Sequence, residues 1–182
     1  MVYAEMKEDV TYNLKKWEAA EAVFVACFGT LWHFVYEWSG NNFLLGLVSP
    51  VNESVFEHLK LLLVPAFLFT LLEYKCLAGL RGCLLLKKWK SMTAGIFFIV
   101  VFYYCYTGML QRDVAWLDIA SFYGAAVLNS FLAYRLLQKP CDGKGKGLLG
   151  GLAWAVTIFL MVLGTLYPPV GILPGLFAAP DL

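Results

Sequence analysis

The chain has 182 residues, of which 60% are hydrophobic and 15% charged, and its formal net charge is +1. A mean hydropathy of +0.68 excludes a soluble single domain, because such a domain has no use for so much apolar surface. The near-neutral charge gives no indication of nucleic acid or of an acidic partner. The sequence therefore predicts an all-α protein, a transmembrane bundle whose natural partner is membrane lipid.

The N-terminal residues 1–17 are charged and contain no apolar core of the kind that a signal peptide needs. Their apolar residues recur at helical spacing between the charges, which predicts a short helix lying on the inner leaflet. A first span follows at residues 21–38. His33 and Glu37 lie four residues apart near its end and so share a face of the helix.

Four more apolar segments predict spans at residues 50–74, 92–110, 114–134 and 148–166, and a tail rich in Pro and Gly follows at residues 167–182. Ser49 and Pro50 form a good start for the second helix, because Ser caps and Pro suits the first turn. The uncharged part of this helix, residues 61–72, covers only about 18 Å of a hydrocarbon core of roughly 30 Å. A spanning helix must therefore draw ionisable side chains into the membrane.

The Lys and Arg residues predict the orientation of the chain. Of fourteen, twelve fall at the N-terminus, between the second and third spans or around the connection between the fourth and fifth, and only Lys60 and Arg112 fall on the other side. The positive-inside rule then predicts five spans, a cytoplasmic N-terminus and an extracytoplasmic C-terminus.

The five cysteines are spread over different segments and include no CxxC pair. Nothing in their spacing indicates a metal or redox site. We expect all five to be structural thiols.

Polar residues gather in the outer parts of the predicted spans, about 6–12 Å from the boundary at the helical rise. Both histidines of the chain are in this layer, whereas the cytoplasmic halves hold little besides Glu73 and Lys75. The layer comprises His33 and Glu37, then Asn52, Glu53, Glu57, His58 and Lys60, and finally Tyr103, Tyr106 and Asp118. Such groups are costly in a membrane and usually mark a function or an internal pairing.

One interpretation of this layer is a metal-dependent enzyme. His33, His58 and Glu37 would hold Zn²⁺ or a non-haem iron. A carboxylate among Glu53, Glu57 and Asp118 would act as base on metal-bound water, giving hydrolytic or transfer chemistry on a lipid-linked or extracytoplasmic substrate. Asn52, Lys60, Tyr103 and Tyr106 would complete the polar network. The interpretation requires the two imidazoles to lie within about 5 Å of each other.

Two other classes remain open. The same residues suit a small transporter or a proton pathway, although five spans show no internal repeat. They also suit a structural or partner-binding protein in which Lys60 neutralises Glu53 or Glu57. A haem held between His33 and His58 is a more distant alternative, and the absence of an HExxH motif means that convergence alone indicates the metal.

Several segments resemble a family of small bacterial membrane proteins of unknown function. They are residues 33–42 (HFVYEWSGNN), 49–54 (SPVNES), 57–60 (EHLK), 104–108 (YCYTG), 116–119 (WLDI) and 167–169 (YPP). The resemblance implies a five-span protein of a bacterial plasma membrane with no established activity. One position departs from the family pattern, since Val170 stands where a His often follows the Tyr-Pro-Pro.

Overall fold

The computed structural model describes residues 2–141, 145–169 and 174–177. Val170 and most of the predicted tail therefore lie outside the described residues. The described chain is helical: α1 (Val2–Trp32), α2 (Val35–Trp38), α3 (Phe43–Gly46), α4 (Val55–His58), α5 (Lys60–Cys76), α6 (Leu84–Leu110), α7 (Ala115–Leu137), α8 (Lys146–Leu166) and α9 (Pro174–Phe177). A single 3₁₀ turn at Ala78–Leu80 stands between α5 and α6.

Four helical stretches among the described residues are long and apolar enough to cross a membrane. They are Val55–Cys76, in which α4 and α5 run on as one helix, and then α6, α7 and α8. The predicted all-helical fold is therefore confirmed, with four helical stretches that could span a membrane. Helix α1 is not among the four because its last part, residues 15–32, still contains four charged side chains.

The first predicted span is not one helix in the structure. Helix α1 runs without a break from Val2 to Trp32, and α2 follows after a turn at His33 and Phe34. The Trp32 indole donates to the carbonyl of Val48 at 2.8 Å, which holds the end of α1 against the following loop. Because this contact joins residues sixteen apart, the local sequence pattern gave no sign of the break.

The second membrane helix begins later than predicted. Residues 49–54 are a loop rather than a first helical turn, because Asn52 Oδ1 accepts the N–H of Ser54 at 2.9 Å. Ser54 then caps the helix, with its Oγ accepting the N–H of Glu57 at 3.4 Å. The expected start at Ser49 and Pro50 was wrong because a second capping serine, preceded by an Asn turn, lies five residues further on.

Helix α6 packs against α5, α7 and α8, while α1 packs against α5 and α7, and Val55–Cys76 is the most buried of the four candidate spans. The contact between α6 and α8 is close because Gly150 lies against the backbone of Leu85 and Leu86. The Trp154 indole donates to the Leu85 carbonyl at 3.1 Å, and this ring is fully buried. Close approach at a small residue is typical of packing between membrane helices.

Cys83 and Cys141 form a disulfide, so the expectation of five free thiols was wrong for this pair. The packing of α6 against α7 brings their Cα atoms to 5.6 Å although they are 58 residues apart. Cys27, Cys76 and Cys105 are free and exposed. The bond joins two connections that the positive-inside rule places in the cytoplasm, where thiols are mostly kept reduced. It therefore bears on the topology tested below.

Replacing Gly150 with Ala should destabilise the bundle, because the added Cβ would overlap the backbone of α6. We expect a loss of about 1–3 kcal/mol in the free energy of unfolding, measured by thermal unfolding in detergent. Gly151→Ala is the matched control, since its Cβ would meet only Leu85 Cδ1 at 3.9 Å. Equal melting of the two variants would contradict this account of the α6–α8 contact.

Candidate metal centre

The connection between α1 and α4 folds back so that the end of α1 lies beside the start of α4. Gly40 and Asn41 both have positive φ angles, of 69° and 61°, and form the tight turn after α2. Asn42 caps α3 by accepting the N–H of Leu44 at 2.9 Å. The result brings the two histidines of the chain, one from each side of the connection, to the same place.

His33, His58 and Glu53 converge on one point. His33 Nε2 lies 3.2 Å from His58 Nε2. Glu53 Oε2 lies 3.3 Å from His58 Nε2 and 3.8 Å from His33 Nε2. Ligand atoms bound at 2.0–2.1 Å to a tetrahedral Zn²⁺ are themselves about 3.3–3.4 Å apart. The three side chains therefore already have nearly the spacing of a metal-ligand set.

A hydrogen bond fixes the tautomer of His58. Its Nδ1 lies 2.9 Å from the carbonyl oxygen of Ser54. A carbonyl oxygen only accepts, so Nδ1 carries the hydrogen and Nε2 of the neutral ring keeps its lone pair. Metal-binding histidines characteristically donate their other ring N–H to a carbonyl or carboxylate in this way.

The lone pairs of His33 Nε2, His58 Nε2 and Glu53 Oε2 face one another, and this arrangement is stable only with a positive charge between them. His33 can donate a hydrogen from Nε2 to one neighbour, but His58 Nε2 and Glu53 Oε2 then still face each other at 3.3 Å as two acceptors. A divalent cation between the three atoms removes this conflict, and so does a proton on His58. The site is open, since the side chains of His33, His58 and Glu53 are 32%, 28% and 58% exposed.

The carboxylate that lies beside the two histidines is not the one that the sequence predicted as a metal ligand. Glu37, predicted as a metal ligand, is exposed and does not belong to the group of atoms within 4.8 Å. Glu53, predicted as a catalytic residue, takes its place. The reason is the end of α1 at Trp32, because Glu37 then lies on the separate helix α2 instead of one turn beyond His33.

Glu57 and Lys60 form a buried ion pair, with Lys60 Nζ 2.6 Å from Glu57 Oε2. The ammonium also donates to the carbonyls of Gly46 and Ser49 at 3.0 and 3.2 Å. Glu57 accepts from the Val51 N–H at 3.0 Å and from Thr165 Oγ1 at 2.9 Å. Both oxygens of Glu57 are thus engaged and its side chain is 3% exposed, so it is not free to act as a base.

Asp118 lies in a separate network. The Tyr106 hydroxyl is 2.6 Å from an oxygen of both Asp118 and Asp113, and a hydroxyl has only one hydrogen to donate. Burial acts to raise the pKa of Asp113, but hydrogen bonds from Tyr106 and Asp118 outweigh it and hold that pKa below its usual value.

Two residues of the predicted network have local roles. The Tyr103 ring packs edge-on against Tyr106 with centroids 5.6 Å apart. Asn52 is exposed and forms the turn before Ser54.

Sequence reasoning missed a second ionisable cluster at the other end of the bundle. Lys88 Nζ lies 2.9, 2.6 and 2.8 Å from carboxylate oxygens of Glu18, Glu21 and Glu73. Lys88 lies outside the third span predicted from residue 92, whereas in the structure it belongs to the first turns of α6. The sequence did carry a signal, namely the helical spacing of Lys88 with Ser91, Met92, Gly95 and Ile99. In the structure all five residues lie on the buried face of α6.

The family model of DUF6512, a family of unknown function, matches residues 6–177 of the chain. The match confirms the resemblance that the motifs indicated. No curated protein and no solved structure matches the chain.

Glu57→Ala should strongly destabilise the protein, because it leaves the Lys60 ammonium buried without its carboxylate. We expect a loss of about 3–5 kcal/mol in the free energy of unfolding. Adding Lys60→Ala should recover part of this loss, measured as the melting temperature in detergent. The exposed Glu37→Ala is the control and should change stability by no more than about 0.5 kcal/mol. A double variant that melts no higher than Glu57→Ala would show that the pair is not the reason.

Proposed function

Because the chain belongs to DUF6512, a family of unknown function, we propose its role from the site itself: a membrane protein that binds a divalent metal ion through His33, His58 and Glu53. The observation that carries the proposal is the convergence of their ligand atoms within 4.8 Å. The hydrogen bond from His58 Nδ1 to Ser54 supports it, since it directs the free lone pair of Nε2 at this point.

The proposed topology is a five-span bundle in a bacterial plasma membrane, with the N-terminus in the cytoplasm and the C-terminus outside. At 31 residues, α1 is about 46 Å long and exceeds the roughly 30 Å hydrocarbon core. Its Glu18 and Glu21 contact Lys88 instead of lipid, which supports α1 as the fifth span. In this orientation the histidine site opens to the extracytoplasmic face.

Two histidines and a carboxylate suit either of two metals. Zn²⁺ in catalytic sites takes three protein ligands of this kind and keeps a fourth position for water. The same donors form the facial triad of non-haem iron enzymes. The exposure of all three side chains leaves room for water or a substrate group at the metal.

The chemistry proposed for this site is hydrolysis or group transfer on a lipid-linked or extracytoplasmic substrate. A metal ion held by His33, His58 and Glu53 would supply an activated water for attack on an ester or phosphoryl group, and a carboxylate of this chain would take up the proton. Glu57 is engaged by Lys60, and Glu53 is one of the converging ligands. Asp118 is therefore the remaining one of the three predicted bases, and Asp113 shares the Tyr106 hydroxyl with it. Asp113 is exposed, and its contact with the Tyr106 hydroxyl gives the proton an onward path.

Proton or ion movement is the second candidate, favoured by the presence of ionisable clusters at both ends of α5. Between residues 61 and 72, however, the polar side chain of α5 is Thr70, and its hydroxyl donates to the Ala66 carbonyl at 2.7 Å. A hydroxyl that is bonded within its own helix is a poor relay. This favours two separate sites over one pathway.

Purified protein incubated with Zn²⁺ and then desalted should retain one metal ion per chain, measured by elemental analysis. His33→Ala, His58→Ala and Glu53→Ala should each lose most of this metal, because three ligands are needed to hold the ion. Co²⁺ in place of Zn²⁺ should give the intense visible absorption of a tetrahedral site. Unchanged metal content in the two histidine variants would overturn the proposal.

The control distinguishes the two carboxylates. Glu37→Ala should retain the metal, because Glu37 is exposed and lies outside the converging group. If Glu37→Ala loses the metal and Glu53→Ala keeps it, the ligand set is the one that the sequence alone predicted.

Cysteine labelling in intact cells should report the topology. In a cysteine-free background, Leu44→Cys should react with an impermeant thiol reagent and Lys139→Cys should react only after lysis. Both positions are exposed, so access to the reagent depends on the side of the membrane. Reversed labelling would place the histidine site in the cytoplasm and the Cys83–Cys141 disulfide outside, where such bonds persist.

A further inference from the structure

The cluster at Lys88 joins three helices through one ammonium group. Glu18 and Glu21 come from α1, Glu73 from α5 and Lys88 from α6. The four side chains are between 0% and 3% exposed. Ser130 of α7 adds its hydroxyl, with Oγ 3.4 Å from Glu21 Oε2. Groups that are so completely buried must satisfy one another.

One lysine cannot satisfy three ionised carboxylates. Its ammonium donates to both oxygens of Glu18, at 3.1 and 2.9 Å, and to Glu21 Oε2 at 2.6 Å. Glu73 Oε2 lies 2.8 Å from Nζ but outside the direction of a hydrogen bond. Glu21 Oε1 and Glu73 Oε1 are buried with no hydrogen-bond partner among the described residues. With every group ionised, the cluster would hold two negative charges in excess.

The three carboxyls surround the same ammonium, and one oxygen of each lies 2.6 to 2.9 Å from Lys88 Nζ. Ionised carboxylates are acceptors only and repel one another when they are buried together. Two protons bound by the cluster would cancel the excess negative charge.

We propose that Glu18, Glu21, Glu73 and Lys88 form a proton-binding site that holds two protons in the folded protein at neutral pH. Glu21 and Glu73 carry these protons, because each has a buried oxygen to which none of the described residues donates. Glu18 stays ionised, because both of its oxygens accept from the Lys88 ammonium. The site is then neutral as a whole.

This site is distinct from the histidine site. Glu57 and Glu73 mark the two ends of α5 and its extension, and sixteen residues of helix separate them by about 24 Å. The proposal therefore does not depend on metal binding at His33, His58 and Glu53. Its ligand is the proton, and loss of a proton at alkaline pH would place uncompensated charge at the junction of α1, α5 and α6.

Infrared spectroscopy of the purified protein tests the proposal directly. Protonated carboxyls have a C=O absorption that is separate from that of carboxylates and that shifts in D₂O. The wild type at neutral pH should show this absorption, and Glu21→Gln/Glu73→Gln should lose the part due to two carboxyls. The exposed Glu37→Gln is the control and should leave the absorption unchanged. An absorption that is the same in the wild type and the double variant would overturn the proposal.

The melting temperature gives a second measurement, because the double and the triple glutamine variants should differ in it. Glutamine carries a donor where the protonated acid has its O–H, so Glu21→Gln/Glu73→Gln should fold and melt close to the wild type. Adding Glu18→Gln removes the last counter-charge of Lys88 and should lower the melting temperature by roughly 10 °C. If the double variant does not fold, an alkaline infrared titration of the wild type replaces it. The C=O absorption should then disappear at the alkaline pH at which the fold is lost. An absorption that persists after the fold is lost would overturn the proposal.

Discussion

The ion pair of Glu57 and Lys60 holds together the part of the molecule on which the histidine site depends. Its two members are three residues apart at the start of a membrane helix, with N–O distance 2.6 Å. Lys60 binds the carbonyls of Gly46 and Ser49, and Glu57 binds the Val51 N–H and the Thr165 hydroxyl. The pair thus fastens the connection between α1 and α4, and through Thr165 the end of α8, to one point. Glu53 and His58 are placed by that connection.

The helices were largely predictable from the sequence because long apolar segments in a membrane have few alternatives to the helix. The predicted ends of the last three spans lie within three residues of the ends of α6, α7 and α8, with the exception of the start of α6. That start was missed because Lys87, Lys88 and Lys90 looked like a basic loop, whereas the ammonium of Lys88 is neutralised inside the bundle. A charge count along the sequence cannot distinguish a cation in solution from one that is paired at depth.

The site was predictable in part, and the limit has the same origin. Depth along the predicted spans was enough to associate His33 with His58, whose Nε2 atoms lie 3.2 Å apart. The sequence could not choose among the carboxylates, since all of them lie at a similar depth. Which carboxylate joins the histidines depends on where α1 ends and on which oxygen atoms accept from the Lys60 ammonium. Both are determined by contacts between residues far apart in the sequence, Trp32 with Val48 and Lys60 with Gly46. The Asp113 carboxylate was missed for a different reason, because the turn after α6 brings it to Tyr106, seven residues earlier in the chain.

The pairing of Glu18 and Glu21 with Lys88 helps to decide whether α1 crosses the membrane. By composition, α1 is too charged, since Lys15, Lys16, Glu18 and Glu21 precede its apolar half. Composition counts Glu18 and Glu21 as though they faced lipid, yet they are buried against Lys88 and are 3% and 0% exposed. If the cluster also binds two protons, these residues add no net charge to the bundle. From Trp17 to Trp32, over about 24 Å, the helix would then carry no charge that is not paired inside the bundle. The fifth span and the proton-binding cluster therefore support each other, because each accounts for acidic residues that a lipid-facing helix would not carry.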